Sequence, residues 1–397
     1  MEIKAADNLE GKESNDKEEN NKDSKPEKVI ITTEQEQAII LQTIGKIKHE
    51  YKRHVGRKIS FIILTLGALF FFILFGMTLG SVRIPLREII ILIFQEGDPV
   101  YETILWNIRL PRVLSAALAG FCLSVSGVAM QSILRNPLGS PFTLGISNAA
   151  AFGAAFAVIL FGAGSMHSTY GDAVIINNPY IITICAFAFC VLTTLLILFI
   201  SKFFDAKPQT MILMGIIIGS LFSAGSTALQ YFADEVQLAA IVYWTFGDLG
   251  RANWTQFLII GIVTVPSMLY FIFNSWNYNI LDVGDDVAQS LGVKITSIRI
   301  IGMIVASLMT ATIISFFGII AYVGLVVPHI VRRIVGNDEH FLVIGSGVFG
   351  SVFLLIADTV ARTILSPVIL PVGVLTSFLG APLFLYLLLR KKNISKS

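Results

Sequence analysis

Carboxylates are scarce in most of this chain. Twelve of its 27 acidic residues lie in the first 58 positions, which leaves fifteen for the other 339. Charged residues of both signs make up 14% of the whole and hydrophobic ones 54%, with a mean hydropathy of +0.75. Soluble domains carry about a quarter charged residues, so a water-soluble body is excluded and a polytopic membrane body is predicted. Cysteine is also sparse. Cys122, Cys185 and Cys190 all sit inside apolar runs, and no His or carboxylate is spaced to join them, which argues against a disulfide or a metal site. The phosphate loop G-x-x-x-x-G-K-[ST] is missing, so the chain does not hydrolyse nucleotide through such a site; H-E-x-x-H, C-x-x-C and G-x-S-x-G are missing too. Acidic residues within the apolar runs are nearly limited to Asp358, and ion-coupled carriers rely on such mid-membrane groups. No catalytic residue and no cofactor is expected.

What is present falls into three parts. Residues 1–35 are rich in Glu, Lys, Asn, Asp and Ser, too polar to bury a core, and read as a disordered charged tail. Residues 36–58 read as an amphipathic, increasingly basic helix lying on the cytoplasmic face. Residues 59–390 form the membrane domain. Ten candidate spans lie near 59–80, 107–133, 141–163, 179–201, 209–232, 254–275, 297–317, 320–336, 341–362 and 371–390. The eighth is short, carries Pro328, His329 and Arg332-Arg333, and is not expected to cross as one straight helix. The predicted fold is therefore an all-α polytopic membrane protein of about ten transmembrane helices. Spans two to five and seven to ten start on opposite sides, the arrangement of an inverted internal repeat.

Basic residues orient the spans. Lys46, Lys48, Lys52, Arg53, Arg57 and Lys58 precede the first one, which puts the N-terminus in the cytoplasm, and an even count puts Arg390-Lys391-Lys392 there as well. Arg135, Lys202, Lys207, Lys294, Arg299, Arg332 and Arg333 then fall inside. Arg109, Arg112 and Arg362 do not: they stand at outer span ends, against the positive-inside rule. Three readings fit these arginines. They are snorkelling anchors, with Arg362 paired at i,i+4 to Asp358; or a surface for an acidic docking partner; or a pore-mouth ring attracting an anionic solute.

Two other stretches carry candidates. In the cytoplasmic loop 276–296, a short helix is predicted after Gly284, with Asp285 and Asp286 in its first turn and Gly292 ending it. Val287, Ala288 and Leu291 lie on one face, which suits either a connector or a lever gripped by a soluble partner. The fifth span repeats small residues: Gly215-x-x-x-Gly219, then Ser223 and Ser226, a pattern for close helix packing or for lining a wide pathway.

Several of these stretches together resemble FecCD/BtuC-type permeases, the membrane subunits of binding-protein-dependent ABC importers. The resemblance rests on Arg109-Leu-Pro-Arg112, Ser126-Gly127 through Gln131, Asn136-Pro137-Leu138 with Leu144-Gly145-Ile146-Ser147, and Trp244-x-x-Gly247. It continues through Gly284 to Gly292, Gly318 through Pro328-His329 and Arg332, Ala357-Asp358 with Ala361-Arg362, and Leu370-Pro371-Val372-Gly373 through Gly380-Ala381-Pro382. It covers roughly residues 60–390. It implies ten spans per subunit and a permease of two subunits, expected here as a homodimer, in the cytoplasmic membrane. It further implies two ATP-hydrolysing subunits docked on the loop that holds Gly284, Asp285, Asp286, Ala288, Leu291 and Gly292. An extracytoplasmic substrate-binding protein would dock on Arg109, Arg112 and Arg362. Iron–siderophore complexes would be the foremost cargo, with haem and cobalamin as alternatives. Membrane lipid, and no nucleic acid, completes the expected partners. Typical members lack the first 58 or so residues, and the resemblance gives that extension no role.

Overall fold

The computed structural model describes residues 33–80, 82–94, 97–163, 179–204, 207–366 and 368–394. Among them every regular element is helical. The expected tail, residues 1–35, falls almost wholly outside the described residues. Two units are distinguished, residues 1–54 and 55–397; the described part of the first is helical and, where its side chains are described, exposed.

In chain order the helices are α1 (Thr33–Thr78), α2 (Leu86–Phe94), α3 (Pro99–Thr103), α4 (Leu110–Ile133), α5 (Ile146–Leu160), α6 (Pro179–Lys202), α7 (Pro208–Phe232) and α8 (Glu235–Thr245). They continue as α9 (Trp254–Phe273), α10 (Ser275–Val283), α11 (Asp285–Ser290), α12 (Ile295–Phe317), α13 (Val323–Val335), α14 (Glu339–Thr363) and α15 (Val372–Ile394). Each of the ten predicted spans contains a helix. Among the described residues, seven stretches are long and apolar enough to cross a membrane, and Ile146–Leu160 and Val372–Leu387 are shorter apolar helices. The thirteen-residue α13 is too short, reaching only about 20 Å of a hydrocarbon core near 30 Å. Its N-cap, Tyr322, is held in a left-handed conformation at φ 66°, so residues 320–336 do not form one straight spanning helix, as their sequence suggested.

Helix α4 is the hub. Small residues let two neighbours approach it to backbone contact. A Cβ placed on Gly120 would lie 2.2 Å from the carbonyl oxygen of Gly350 on α14, and one on Gly127 would lie 1.9 Å from that of Gly324 on α13. Within an apolar solvent there is little hydrophobic drive between helices, so such close packing and interhelical hydrogen bonds do the holding. Ser351 on α14 donates to the carbonyl of Ala117 at 2.7 Å, Thr310 on α12 donates to Ser126 at 3.0 Å, and Cys122 meets Thr264 on α9 at 2.8 Å. The result is a helix buried along nearly its whole length, flanked antiparallel by α14.

Small residues act the same way further out. Gly215 and Gly219 on α7 pack against the turn that starts α5: added Cβ atoms would stand 2.7 Å from Leu144 Cα and 2.9 Å from Gly145 Cα. That makes the Gly-x-x-x-Gly pair a packing contact. Ser226 is buried and donates within its own helix to Phe222, while Ser223 is exposed together with Ser220 and Thr227.

Candidate functional site: two charged ends of one helix pair

The antiparallel pair α4 and α14 carries charge only at its ends, and each end gathers residues far apart in sequence. At the first end the chain enters α4 through a π-helical turn, Ile104–Arg109, with Pro111 in the first turn of the α-helix. The i,i+3 spacing puts Arg109 and Arg112 on one side. Asp358, in the last turns of α14, is fully buried and accepts from Arg112 Nε at 3.0 Å and Nη2 at 2.8 Å. Its other oxygen lies 3.0 Å from Arg362 Nε, the i,i+4 pair anticipated from the sequence. Arg112 also approaches Asp248 at 3.7 Å.

Arg109 finds no carboxylate among the described contacts. It donates to the carbonyls of Met77 (2.6 Å), Thr78 (3.2 Å) and Val82, and Arg362 donates to those of Leu79 (3.1 Å) and Gly76 (3.3 Å). The last carbonyls of a helix have no partner inside it and carry the negative end of its dipole. Two guanidinium groups, one from the turn that enters α4 and one from α14, thus cap the end of α1. All three arginines are under a tenth exposed, yet they line an open cavity of about 250 Å³ whose apolar wall includes Val82, Ile108 and Ile369. Three cations against the two carboxylates of Asp358 and Asp248 still leave this group net positive.

At the other end, Ser132 near the close of α4 donates to Glu339 Oε1 at 2.7 Å and lies 3.5 Å from Asp282 Oδ2 on α10. Arg332 on α13 sits 3.8 Å from Glu339 and donates to Gln131 at 3.3 Å. Asn279 accepts from the backbone N–H of Glu339 at 2.8 Å, and Lys58 on α1 pairs with Asp338 at 3.0 Å while resting 4.8 Å over the Phe341 ring. Burial pushes the Asp282 carboxyl up, with Arg332, Ser132 and Arg135 pulling against it. At Asp338 burial also pushes upward, but the Lys58 ammonium, Asn279 and the His340 N–H together hold the carboxyl below its ordinary range.

The loop 276–296 holds two short helices where the sequence suggested one. At nine residues α10 is too short to show a clear periodic pattern in the sequence. Gly284 breaks the two at φ 151° and Gly292 ends α11 at φ 80°. The expected face divides: Ala288 is fully buried, whereas Leu291 is 64% exposed and Val287 is exposed with it. Asp285 is committed to Arg299 (2.7 Å) and Arg135 (3.3 Å), and Asp286 is exposed. Val283, Trp276 and Phe273 add to the uncovered apolar surface of this loop and the helix end before it.

The structure thus brings Arg109, Arg112 and Arg362 together, and separately Gly284 through Gly292. Sequence reasoning missed Ser132, Asn279, Asp282 and Glu339. A charged pair, Asp338-Glu339, immediately before a long apolar run was the available signal.

Residues 68–390 match the FecCD transport family. An ABC transporter permease protein of Methanocaldococcus jannaschii is 49% identical over 87% of this chain and 98% of its own. The hemin transport system permease protein of Yersinia pestis is 34% identical over 74% of this chain and 84% of its own. A vitamin B12 import system permease protein of Vibrio parahaemolyticus is 31% identical over 79% and 91%. Among solved structures, a metal-chelate type ABC transporter in an inward-facing conformation superposes with a TM-score of 0.72 at 29% identity, covering 83% of this chain and 99% of that one. A central antiparallel helix pair charged at both ends, ten helical segments in the expected places and a match across nearly all of them lead to one assignment: the chain belongs to the FecCD transport family and is an ABC importer permease.

Proposed function

We propose that this permease moves a bulky iron chelate, an iron–siderophore foremost, across the cytoplasmic membrane with both of its termini inside. Haem and cobalamin are the alternative cargoes. Relatives named for hemin, iron chelatin and vitamin B12 support this class without separating its members. The energy comes from two separate ATPase subunits, the cargo from an extracytoplasmic binding protein, and a second copy of the chain completes the pathway. The exposed side of α7, with Ser220, Ser223 and Thr227, is the polar-small surface offered to that pathway.

The observation that carries the reading is the contrast between the ends of the α4–α14 pair. One end presents a net-positive cavity suited to a carboxylate of a docking protein. The other joins a loop of exposed apolar side chains, suited to a soluble ATPase, to the same two helices through Asp282, Ser132 and Glu339. Alternating access needs a body with two arrangements that both partners bias. An ion-coupled carrier is the rival reading. Against it, Asp358, the main acidic residue within the apolar runs, is committed to ion pairs with Arg112 and Arg362.

Two variants test the contacts. Leu291→Glu puts a charge in the exposed apolar face of α11 and is expected to lower ATP-driven uptake at least tenfold, with ATPase association weakened in a pull-down; unchanged uptake would remove the lever role. Arg109→Gln is expected to weaken binding-protein affinity in surface plasmon resonance about tenfold, since a charge-assisted contact is worth roughly 1.5–3 kcal/mol. An unaltered affinity with an intact melting temperature would remove the docking role.

A further inference from the structure

We propose that a second polar cavity, beside α11, is a binding site for a phosphate group. It has a volume of about 440 Å³, and its lining includes Lys207, Lys294, Arg299, Asp285, Thr296 and Ser297. Among the described lining residues, three cations stand beside one carboxylate.

Two long helices begin at this cavity. Lys207 is the N-cap of the 25-residue α7 and Lys294 that of the 23-residue α12, and neither end has a side-chain cap. The first N–H groups of a helix have no carbonyl partner within it, and its dipole is positive there, so such ends attract anions. The hydroxyls of Thr296 and Ser297 add donors in the first turn of α12.

Arg299 supplies the independent indication of a ligand. It is 2% exposed, its Nη2 is held by Asp285 at 2.7 Å, and its Nε is buried without a hydrogen-bond partner. Leaving a buried charged donor unmade is costly. Asp285 meets Arg299 only at Nη2, and the same oxygen also pairs with Arg135 at 3.3 Å. An anion in the cavity would share its lining with this guanidinium and both lysines.

The chemistry is that of a phosphate anion, and two sources fit it: the headgroup of an anionic phospholipid, or free phosphate. Basic cavities between membrane helices take lipid headgroups. The surroundings suit an acyl chain, since Phe203 and Phe204 are exposed just before Lys207, and Ile301 and Ile304 are exposed within the first three turns of α12. The site is defined by geometry alone and stands apart from the choice of cargo.

The full chain in nanodiscs of phosphatidylcholine with phosphatidylglycerol, released into native mass spectrometry, tests the lipid arm. Thermal shift on inorganic phosphate tests the other. The variant is Lys207→Gln with Lys294→Gln, both exposed, so folding is not at risk; Lys48→Gln with Lys52→Gln removes the same charge from α1 as a control. Retention of phosphatidylglycerol should fall about tenfold in the first variant, at roughly a severalfold loss per lysine, and stay as in the wild type in the control. A phosphate-induced shift lost only in the first variant, with lipid retention unchanged, would support the site with free phosphate as its occupant. Equal lipid retention and equal phosphate response in the wild type and Lys207→Gln/Lys294→Gln, or an equal loss in the control, would overturn it.

Discussion

Asp358→Asn is expected to destabilise the folded permease by about 3–5 kcal/mol, the largest effect of any single polar substitution in the bundle. Asp358 is fully buried and is the counter-charge for both Arg112 and Arg362, which are themselves 8% and 7% exposed. Asparagine keeps the shape and loses the charge. Two guanidinium groups would then face one another with only Asp248, 3.7 Å from Arg112, to offset them. The carbonyls at the end of α1 would lose alignment as well, because Arg362 holds two of them. The melting temperature of the detergent-solubilised protein reads this directly. The double variant Asp358→Asn/Arg362→Gln restores the original net charge of the group and should recover part of the loss. Strictly additive losses in the two single variants and the double one would show that the three side chains do not act as a unit.

Gly127→Ala is expected to be comparably damaging for a different reason. The new methyl would lie 1.9 Å from the carbonyl oxygen of Gly324 and 2.7 Å from its Cα, atoms of a neighbouring helix backbone that no rotamer change can move aside. Ordinary contacts start near 3.4 Å, so α4 and α13 would have to separate by more than an ångström. Overpacking in a core typically costs about 1–3 kcal/mol, and a backbone clash of this depth belongs at or above the upper end. Gly67 on α1 and Gly261 on α9 are the internal controls, since a Cβ at either meets nothing within 4 Å. Alanine there should be neutral or stabilising by up to about 1 kcal/mol through helix propensity. Equal melting temperatures for Gly127→Ala and Gly67→Ala would contradict the close crossing.

Much of this architecture was legible before any coordinates. Apolar runs locate spans because a bilayer demands about 20 such residues in a helix, and little else in the chain competes with that signal. Arg109, Arg112 and Arg362 drew notice because charge at an outer span end is disfavoured, and the i,i+4 spacing already paired Arg362 with Asp358. What the sequence did not disclose was the arginines' other partners. Backbone carbonyls at the end of α1 look the same in every sequence, so a cap supplied from α4 and α14 leaves no pattern to read. Close helix contacts are half legible: Gly215-x-x-x-Gly219 marks a face for close packing, but only the fold shows that Leu144 and Gly145 fill it. In the loop, the mixed burial of Ala288, Val287 and Leu291 follows from two short helices meeting at Gly284, where a positive φ turns the chain between them.

The most direct measurement is cargo flux into proteoliposomes that hold the permease with its ATPase subunits, supplied with binding protein and a labelled iron chelate. The account predicts uptake that needs ATP, the ATPase subunits and the binding protein together, and that is indifferent to proton or sodium gradients. Uptake by the permease alone, driven by an ion gradient, would contradict it.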